Sequence, residues 1–396
     1  MTPVARPAPE MAAVWLMALG VTLGYASLLY VFGALLLPVQ AATGWTEPQM
    51  AGGVTLAVVL AAAVAPYSGR LVDRGLGVEL MVGGALAGGI ALLAIGQART
   101  LWQWYAAWLL VGPAMAATLY ETCFAYLTRR LGPEARPAII RVTLLGGLAS
   151  TLAFPLGAAL AGHGGWRLAF AGFAALEILV AAPAFWLGGR ILRRSERRGT
   201  ASAPSDGSGA VRRAMRKRSF WLLAVGLALG TMNHSVLSTY FIPVFTGLGA
   251  GAGLAVAAAA TVGPFQVAGR FLLMLMGASV PVRGATLLSF AGLALSSALL
   301  LFAGLAPWLI FLFAVVQGAS IGIMSILRPL IVAEVLGTED FGAISGAIAA
   351  GPWLATAAAP ALGAALFATG GPELLAGACA AMAAVGLGLT LAVRRG

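Results

Sequence analysis

The stretch GRLVDRGLG, residues 69–77, places three charged side chains, Arg70, Asp73 and Arg74, between two long apolar runs. The run before it reads AGGVTLAVVLAAAVAPYS (51–68), and the run after it reads VELMVGGALAGGIALLAIG (78–96). Each run matches the roughly 20 residues that a helix needs to cross the hydrocarbon core of a bilayer. The stretch is therefore predicted to be a polar connection between two membrane-spanning helices.

The composition extends this interpretation to the whole chain of 396 residues. Hydrophobic residues make up 60% of it and charged residues only 9%, whereas about 25% of the residues of a soluble domain are charged. Most of the chain is therefore predicted to lie in a membrane. The net charge of +11 does not indicate nucleic-acid binding, because the basic residues lie in loops and at helix ends, where they orient membrane proteins and face anionic lipid.

Turn residues divide the apolar sequence into twelve predicted spans. We expect an all-α membrane protein with an N-terminal six-helix half (1–192), a cytoplasmic linker rich in Arg, Ser and Gly (193–218), and a C-terminal six-helix half (219–396). The predicted spans are 11–38, 48–68, 78–97, 101–128, 137–162, 167–191, 219–246, 251–276, 282–303, 307–334, 341–369 and 373–393.

The placement of arginine predicts the orientation. If the first terminus is cytoplasmic, the outer side receives only Arg99 and Arg167, and the cytoplasmic side receives the linker and most other arginines. Cytoplasmic loops carry an excess of Arg and Lys. We therefore expect a multi-pass protein of the cell's inner membrane with both termini cytoplasmic. The arginines on the cytoplasmic side outside the linker are Arg70, Arg74, Arg129, Arg130, Arg136, Arg283, Arg394 and Arg395.

An internal repeat supports the division into halves. Residues 131–155 align without gaps on residues 336–360, with identical Leu-Gly-x-Glu at the start and identical Pro at the end. Both segments are predicted to be a cytoplasmic loop that enters the fifth helix of its half. Two similar six-helix halves are typical of transporters built from parallel repeats.

The opening stretch resembles the G-x-L-x-D-R loop of the major facilitator superfamily, with Gly69, Asp73 and Arg74 at its positions. The resemblance implies that Asp73 pairs across the two halves and latches the outward-open state. Val78 and Glu79 follow where the family usually has a basic residue, so this latch is expected to be weaker or differently partnered. Without the resemblance, the same stretch would be a hairpin turn whose arginines set the topology.

A narrower resemblance is to the monocarboxylate-porter and oxalate–formate branch of that superfamily. It rests on GWTEPQM (44–50), LYETCFAYLTRR (119–130) and GPFQVAGR (263–270). The resemblance implies that Arg270, in the eighth span, receives the substrate carboxylate, with Gln266 in the place of the branch's acid. Residues four apart share a helix face, and a guanidinium fork matches two carboxylate oxygens. The alternative is that Arg270 snorkels to the inner surface.

The eleventh span points to the charge of the substrate. Oxalate–formate exchangers carry a lysine there, whereas residues 342–369 of this chain contain no charge. One deep arginine then remains for the substrate, so a monoanion is expected rather than a dianion.

Four further residues are predicted to line the substrate cavity, and two residues are candidates for carrying a proton. Asn233 and His234 lie near the middle of the seventh span, and Tyr120 lies in the fourth at a depth comparable to Tyr25 in the first. His234 changes charge near neutral pH, and Glu121 is a buried acid. A structural histidine bonded to helix backbone and a fixed ion pair of Glu121 remain the alternatives.

Three other charged residues lie inside predicted spans. Arg141 and Arg328 are close enough to the cytoplasmic surface for their side chains to snorkel. Glu177 falls in the middle of the sixth span, where a role in pairing with a neighbouring helix is expected.

These features together predict a secondary transporter that moves a small organic monoanion with a proton by alternating access. The alternatives are a proton-driven exporter of drugs or toxic compounds and, from another class, a membrane sensor or lipid scramblase. No nucleophile–base pair, metal cluster or phosphate loop indicates an enzyme. We expect no cofactor, metal or nucleic acid, and a monomer whose partners are its substrate, the proton and the bilayer.

Overall fold

The computed structural model describes residues 8–194, 209–276 and 280–393, and all regular structure in these ranges is helical. The predicted all-α fold is thus confirmed. Residues 195–208 of the predicted linker lie outside the described ranges.

The first half consists of helices α1–α9. A π-helical turn at Tyr25–Tyr30 joins α1 to α2, and a second π-helical turn at Glu177–Ala181 joins α8 to α9. The helices are α1 Ala8–Gly24, α2 Val31–Thr43, α3 Glu47–Asp73, α4 Gly77–Gln97, α5 Leu101–Thr118, α6 Tyr120–Leu131, α7 Ala135–Gly146, α8 Ala149–Leu176 and α9 Ala182–Arg194.

The second half consists of a short helix and five long ones. They are α10 Ala210–Met215, α11 Arg218–Gly247, α12 Ala252–Met276, α13 Val282–Leu300, α14 Leu309–Leu336 and α15 Phe341–Ala392.

Nine helical stretches of the described residues are long and apolar enough to cross a membrane. Two of them hold 60 and 52 residues, which at about 1.5 Å per residue is more than twice the hydrocarbon thickness of about 30 Å. Each of these two is interrupted at a glycine pair and crosses twice. The stretch 101–131, broken at Leu119, completes the twelve predicted crossings.

The two glycine pairs have nearly the same backbone conformation. Gly164 has φ −150° and ψ 22°, and Gly165 has a φ of 74°. Gly370 has φ −151° and ψ 22°, and Gly371 has a φ of 65°. A Cβ atom on Gly172 would lie 2.5 Å from Leu160 Cδ1, so the two limbs of α8 pack side by side.

The described chain forms two compact units. The first contains the described residues up to Val211 together with Thr338–Ala350, and the second contains Arg212–Gly337 and the residues from Gly351 onward. The start of α15 therefore packs with the first half of the sequence.

Each unit has its own aromatic core. In the first unit Trp104 contacts the rings of Trp108 and Phe170, and its indole N–H donates to Met50 O at 3.0 Å. In the second unit a buried cluster forms around Phe245 and Phe313. These cores fix the helices that carry the polar residues described below.

Candidate functional site

Asp73 is the last residue of α3, and its carboxylate lies at the start of α15. Oδ1 accepts a hydrogen bond from Gly342 N at 2.9 Å, and Oδ2 accepts one from Ala343 N at 2.7 Å. The first N–H groups of a helix have no partner within the helix and carry partial positive charge, so they favour an anion. The partner of Asp73 is therefore a helix N-terminus within the first compact unit, made of residues that the predicted division assigned to the second half.

Glycines bring α3 and α15 into backbone contact at this point. A Cβ atom on Gly69 would lie 1.9 Å from Gly342 O, and one on Gly346 would lie 2.3 Å from Ala65 O. The spacing of Gly342 and Gly346 is the small-xxx-small pattern that lets membrane helices approach closely. Sequence reasoning missed both residues, although the stretch GAISG (342–346) carries the signal.

The polar connection is shorter than the opening stretch suggested. Helix α3 continues through Asp73, and within it the Arg70 guanidinium lies over the Tyr67 ring, 5.4 Å from its centroid. The turn comprises only residues 74–76, where exposed Arg74 is the C-cap and Gly75 has a φ of 92°. Gly69 thus serves helix contact and Gly75 serves the turn.

Glu79, which stands where the family pattern usually has a basic residue, has a partner in the structure. Glu79 receives two hydrogen bonds from Arg193 of α9, at 2.7 and 2.5 Å. Arg193 also donates to Gly75 O at 3.3 Å, and the Arg129 guanidinium donates to Asp73 O. The loop is therefore held by arginines from α6 and α9, and an acid at position 79 matches the charge of Arg193.

The structure brings together Tyr25 and Tyr120, two of the residues predicted to line the cavity. Their ring centroids are 4.5 Å apart, and Tyr120 stacks on Phe124 at 4.9 Å. Glu121 follows Tyr120 in the first turn of α6 and is half-buried. An acid and two phenols therefore lie within one region of the first unit.

Three interruptions of regular helix surround Tyr120. Tyr25 opens the first π-helical turn, and Leu119, with φ −82° and ψ −171°, separates α5 from α6. A third break separates α7 from α8, where a Cβ atom on Gly146 would lie 2.3 Å from Tyr120 Oη. Irregular backbone at membrane depth is tolerated where it is packed in protein or lines a cavity, and broken helices build the substrate sites of many transporters.

In the second unit the structure places Arg270 near His234. The Arg270 guanidinium is close enough for its charge to act on the His234 ring, and Arg270 itself is only 7% exposed. His234 Nδ1 has no hydrogen-bond partner in the described part of the chain, which leaves that atom free of the helix backbone. Gln266 is half-buried one turn before Arg270 on α12.

Close packing on α14 fixes the position of Arg270. A Cβ atom on Gly322 would lie 2.2 Å from Gln266 O, and one on Gly269 would lie 2.5 Å from Ala319 O. The backbone of α12 is thus packed against α14 at Gln266 and at Gly269, next to Arg270.

Asn233 has a different environment from its neighbour His234. Its side chain is fully buried, donates to Ser297 Oγ and to Cys379 O at 2.8 Å each, and accepts from Gln317 Nε2 at 3.0 Å. Ser296 Oγ donates to Gln317 Oε1 at 2.6 Å and extends the network. Asn233 thus joins α11, α13, α14 and α15, and its amide is committed to that role.

Comparison with known proteins identifies the family to which this architecture belongs. A family model described as Major Facilitator Superfamily matches residues 14–311, which is more than half of the chain. The chain belongs to the major facilitator superfamily. A search of curated proteins found no match.

A solved superfamily structure supports the same fold. It is described as a Major Facilitator Superfamily transporter, FucP, in the outward conformation, and it matches with a TM-score of 0.75 over 98% of this chain and 100% of its own. The sequence identity is 13%, so the likeness shows the fold alone. The narrower resemblance to monocarboxylate porters stays a prediction.

Two more ionisable residues lie deep within this superfamily member. Arg141 Nη1, on α7, is buried and has no hydrogen-bond partner among the described residues. Glu177 is 0% exposed, and neither its carboxyl oxygens nor Ser27 Oγ, which faces them, makes a hydrogen bond of normal geometry in the described ranges. Both Ser27 and Glu177 lie on π-helical turns, a feature that the sequence did not reveal.

Proposed function

We propose that this superfamily member is a secondary active transporter that carries a small organic monoanion together with a proton. The fold supports secondary transport. The observation that carries the substrate class is the buried Arg270, within electrostatic range of His234 and next to the close backbone contacts of α12 with α14.

The anion is bound by Arg270. A guanidinium offers parallel N–H donors that match both oxygens of a carboxylate, and such charge-assisted bonds are stronger than neutral ones. Gln266, one turn away, orients the guanidinium or donates to the substrate. Because residues 342–369 contain no charge, a single negative charge on the substrate is matched best.

The proton is carried by Glu121. This acid is half-buried, so solvent and substrate reach it, whereas the fully buried Glu177 is sealed by packing. Tyr25 and Tyr120 supply hydroxyl groups beside it. His234 is the second candidate, favoured by an Nδ1 atom that no described group bonds.

The transport cycle is alternating access, with Asp73 stabilising one of its states. Its carboxylate holds the first N–H groups of α15, and these two bonds must break when α15 moves away from α3. We further propose a monomer in the inner membrane with both termini cytoplasmic. Protease treatment of right-side-out vesicles tests the orientation, because the linker at 193–218 should be cut only after the vesicles are permeabilised.

A thermal-shift screen of the purified protein with small acids tests the substrate class. A ligand that binds only the folded state raises its apparent stability, so a monocarboxylate should raise Tm in wild type and have no effect on Arg270→Ala. Uptake into proteoliposomes under an imposed pH gradient then tests the coupling. A set of amphipathic cations that stabilises both proteins equally, with no response to acids, would favour the drug exporter instead.

A further inference from the structure

A groove of about 650 Å³ lies between α4 and α9, away from Arg270 and Tyr120. Its length is apolar and its end near the loop 74–76 is charged. The apolar lining consists of Val78, Val82, Gly83, Leu86 and Trp186, and the charged lining consists of Glu79, Arg190 and Arg193.

Helical spacing explains why the lining residues of α4 form one wall of the groove and those of α9 form the other. Residues 79, 82, 83 and 86 of α4 recur every three or four positions and so share a face, as do residues 186, 190 and 193 of α9. The two helices touch where a Cβ atom on Gly189 would lie 2.3 Å from Val78 Cγ2. Beside that contact the helices diverge and leave the groove open.

The two arginines of the groove differ in what they bind. Arg193 is engaged with Glu79 and with Gly75 O. Arg190 is exposed and lies over the Trp186 ring, 5.0 Å from its centroid. None of the Arg190 N–H groups donates to a protein group within the described ranges, so this guanidinium faces the groove with its hydrogen-bonding capacity unused.

We propose that the groove binds one anionic phospholipid, with its phosphate on Arg190 and an acyl chain along Val82, Gly83 and Leu86. A guanidinium binds phosphate bidentately, and basic pockets between membrane helices on the cytoplasmic side bind anionic headgroups. The charge of Arg193 is already matched by Glu79, so one net positive charge remains, which suits a lipid with a net negative charge. A zwitterionic lipid would bring its own cation to Arg190.

Gly83 gives a specific way to close the acyl part of the groove. A Cβ atom at this position would meet nothing within 4 Å, so a larger side chain fits the fold and occupies the groove. Gly388, on α15, is also an exposed helical glycine with open space around it. Gly388→Leu is therefore a matched control for Gly83→Leu.

Native mass spectrometry of the full chain in detergent tests the site. Phosphatidylglycerol and phosphatidylcholine with the same acyl chains are titrated separately, and inorganic phosphate is added as a competitor. We expect one phosphatidylglycerol to bind more tightly than phosphatidylcholine and to resist phosphate. Arg190→Gln should weaken its binding by at least about tenfold, as the loss of a bidentate pair of charge-assisted hydrogen bonds implies.

Matched variants separate the site from a general charge effect. Arg216→Gln removes the same charge from an exposed position outside the groove and should leave the affinity unchanged, and Gly83→Leu should weaken it where Gly388→Leu does not. Arg190→Lys keeps the charge but loses the planar fork, and it replaces Arg190→Gln as the test variant if Arg190→Gln is poorly folded. Equal affinity of Arg190→Gln and Arg216→Gln, equal binding of the two lipids, or displacement by phosphate would each overturn the proposal.

Discussion

Tyr120 in the first half lies among three interruptions of helical backbone, whereas Arg270 in the second half lies on α12, which is continuous from Ala252 to Met276. The first half carries the acids Glu121 and Glu177 in its spans, and the second half carries Arg270 beside His234. The two halves thus differ in the regularity of the backbone around their candidate residues.

This difference suggests a division of labour. Close packing on α14 holds the backbone beside Arg270, which lowers the cost of binding an anion because little of the backbone must be ordered. Interrupted helices expose backbone groups that can exchange partners, so a change in the charge of Glu121 can be passed to the backbone beside it. Under the proposed function, anion recognition would belong to the second half and the proton-dependent step to the first.

The largest effect is expected at Arg270. Losing a bidentate pair of charge-assisted bonds, worth about 1.5–3 kcal/mol each, should weaken anion binding by at least about tenfold. Arg270→Ala should therefore bind no monocarboxylate detectably, and Arg270→Lys should bind weakly because it keeps the charge and loses the planar fork. Equilibrium binding to the purified protein measures both.

Arg141 provides the control that tests whether the anion binds in the second half. It is the deep arginine of the first half, with a buried Nη1 atom that no described residue accepts from. Arg141→Ala should retain the affinity for the anion, and so should Arg328→Ala on α14. If Arg141→Ala loses binding and Arg270→Ala keeps it, the anion site lies in the first half and the division of labour is reversed.

The next effect concerns the two acids of the first half. Glu121→Gln should abolish uphill uptake driven by a pH gradient and leave counterflow exchange largely intact, because exchange returns the loaded carrier without net proton release. Glu177→Gln is the matched control, since the same change is made in an acid that packing seals from solvent. It should retain uphill uptake.

Failure of this pair would sharpen the comparison. Retained uphill uptake in Glu121→Gln, with loss in His234→Gln, would move the proton step to the second half beside Arg270. Loss in Glu177→Gln alone would move it to the facing π-helical turns at Ser27 and Glu177.

Much of the fold followed from local sequence. Apolar runs of membrane length and turn residues located the twelve spans, and the repeat at 131–155 and 336–360 located the equivalent corners. The comparable depth of Tyr25 and Tyr120 was also read from the sequence, although their ring contact was not. These features depend on periodicity and spacing, which a single sequence displays.

The remaining features depend on long-range packing, which one sequence does not display. The sequence at Leu119 does not mark a helix break, since neither Gly nor Pro stands there. Tyr120, which follows the break, packs against Tyr25 and Gly146. Asn233 was predicted to line the cavity with His234, yet adjacent residues on a helix point about 100° apart, and Asn233 points into a network of four helices. The backbone partners of Asp73 likewise carry no side-chain signature.

A smaller effect is expected at the contact between α3 and α15. Gly342→Ala would place a Cβ atom 2.3 Å from Gly69 O and 2.8 Å from Asp73 Oδ1, so the helices must separate and the Asp73 bonds weaken. Asp73→Asn replaces one accepting oxygen by a donor and loses one of the two bonds. Both variants should transport more slowly with substrate binding preserved, as measured by initial uptake rates.

Gly388→Ala, on the same helix as Gly342 but in open space, should transport like wild type. Full transport in both Gly342→Ala and Asp73→Asn would reduce the stretch GRLVDRGLG to a turn whose arginines set the topology.

The smallest effect on transport is expected at Asn233, although the effect on stability should be clear. Asn233→Ala leaves Gln317 Nε2 buried without the acceptor that it has now, at a cost of about 1–3 kcal/mol for a buried unsatisfied group. Thermal unfolding should therefore begin at a lower temperature while substrate affinity stays unchanged. Ser238→Ala removes an exposed hydroxyl from the same helix and should alter neither quantity. An Asn233→Ala variant with normal stability and weakened anion binding would return this residue to the substrate site beside His234 and Arg270, and would show that the polar network can rearrange to release it.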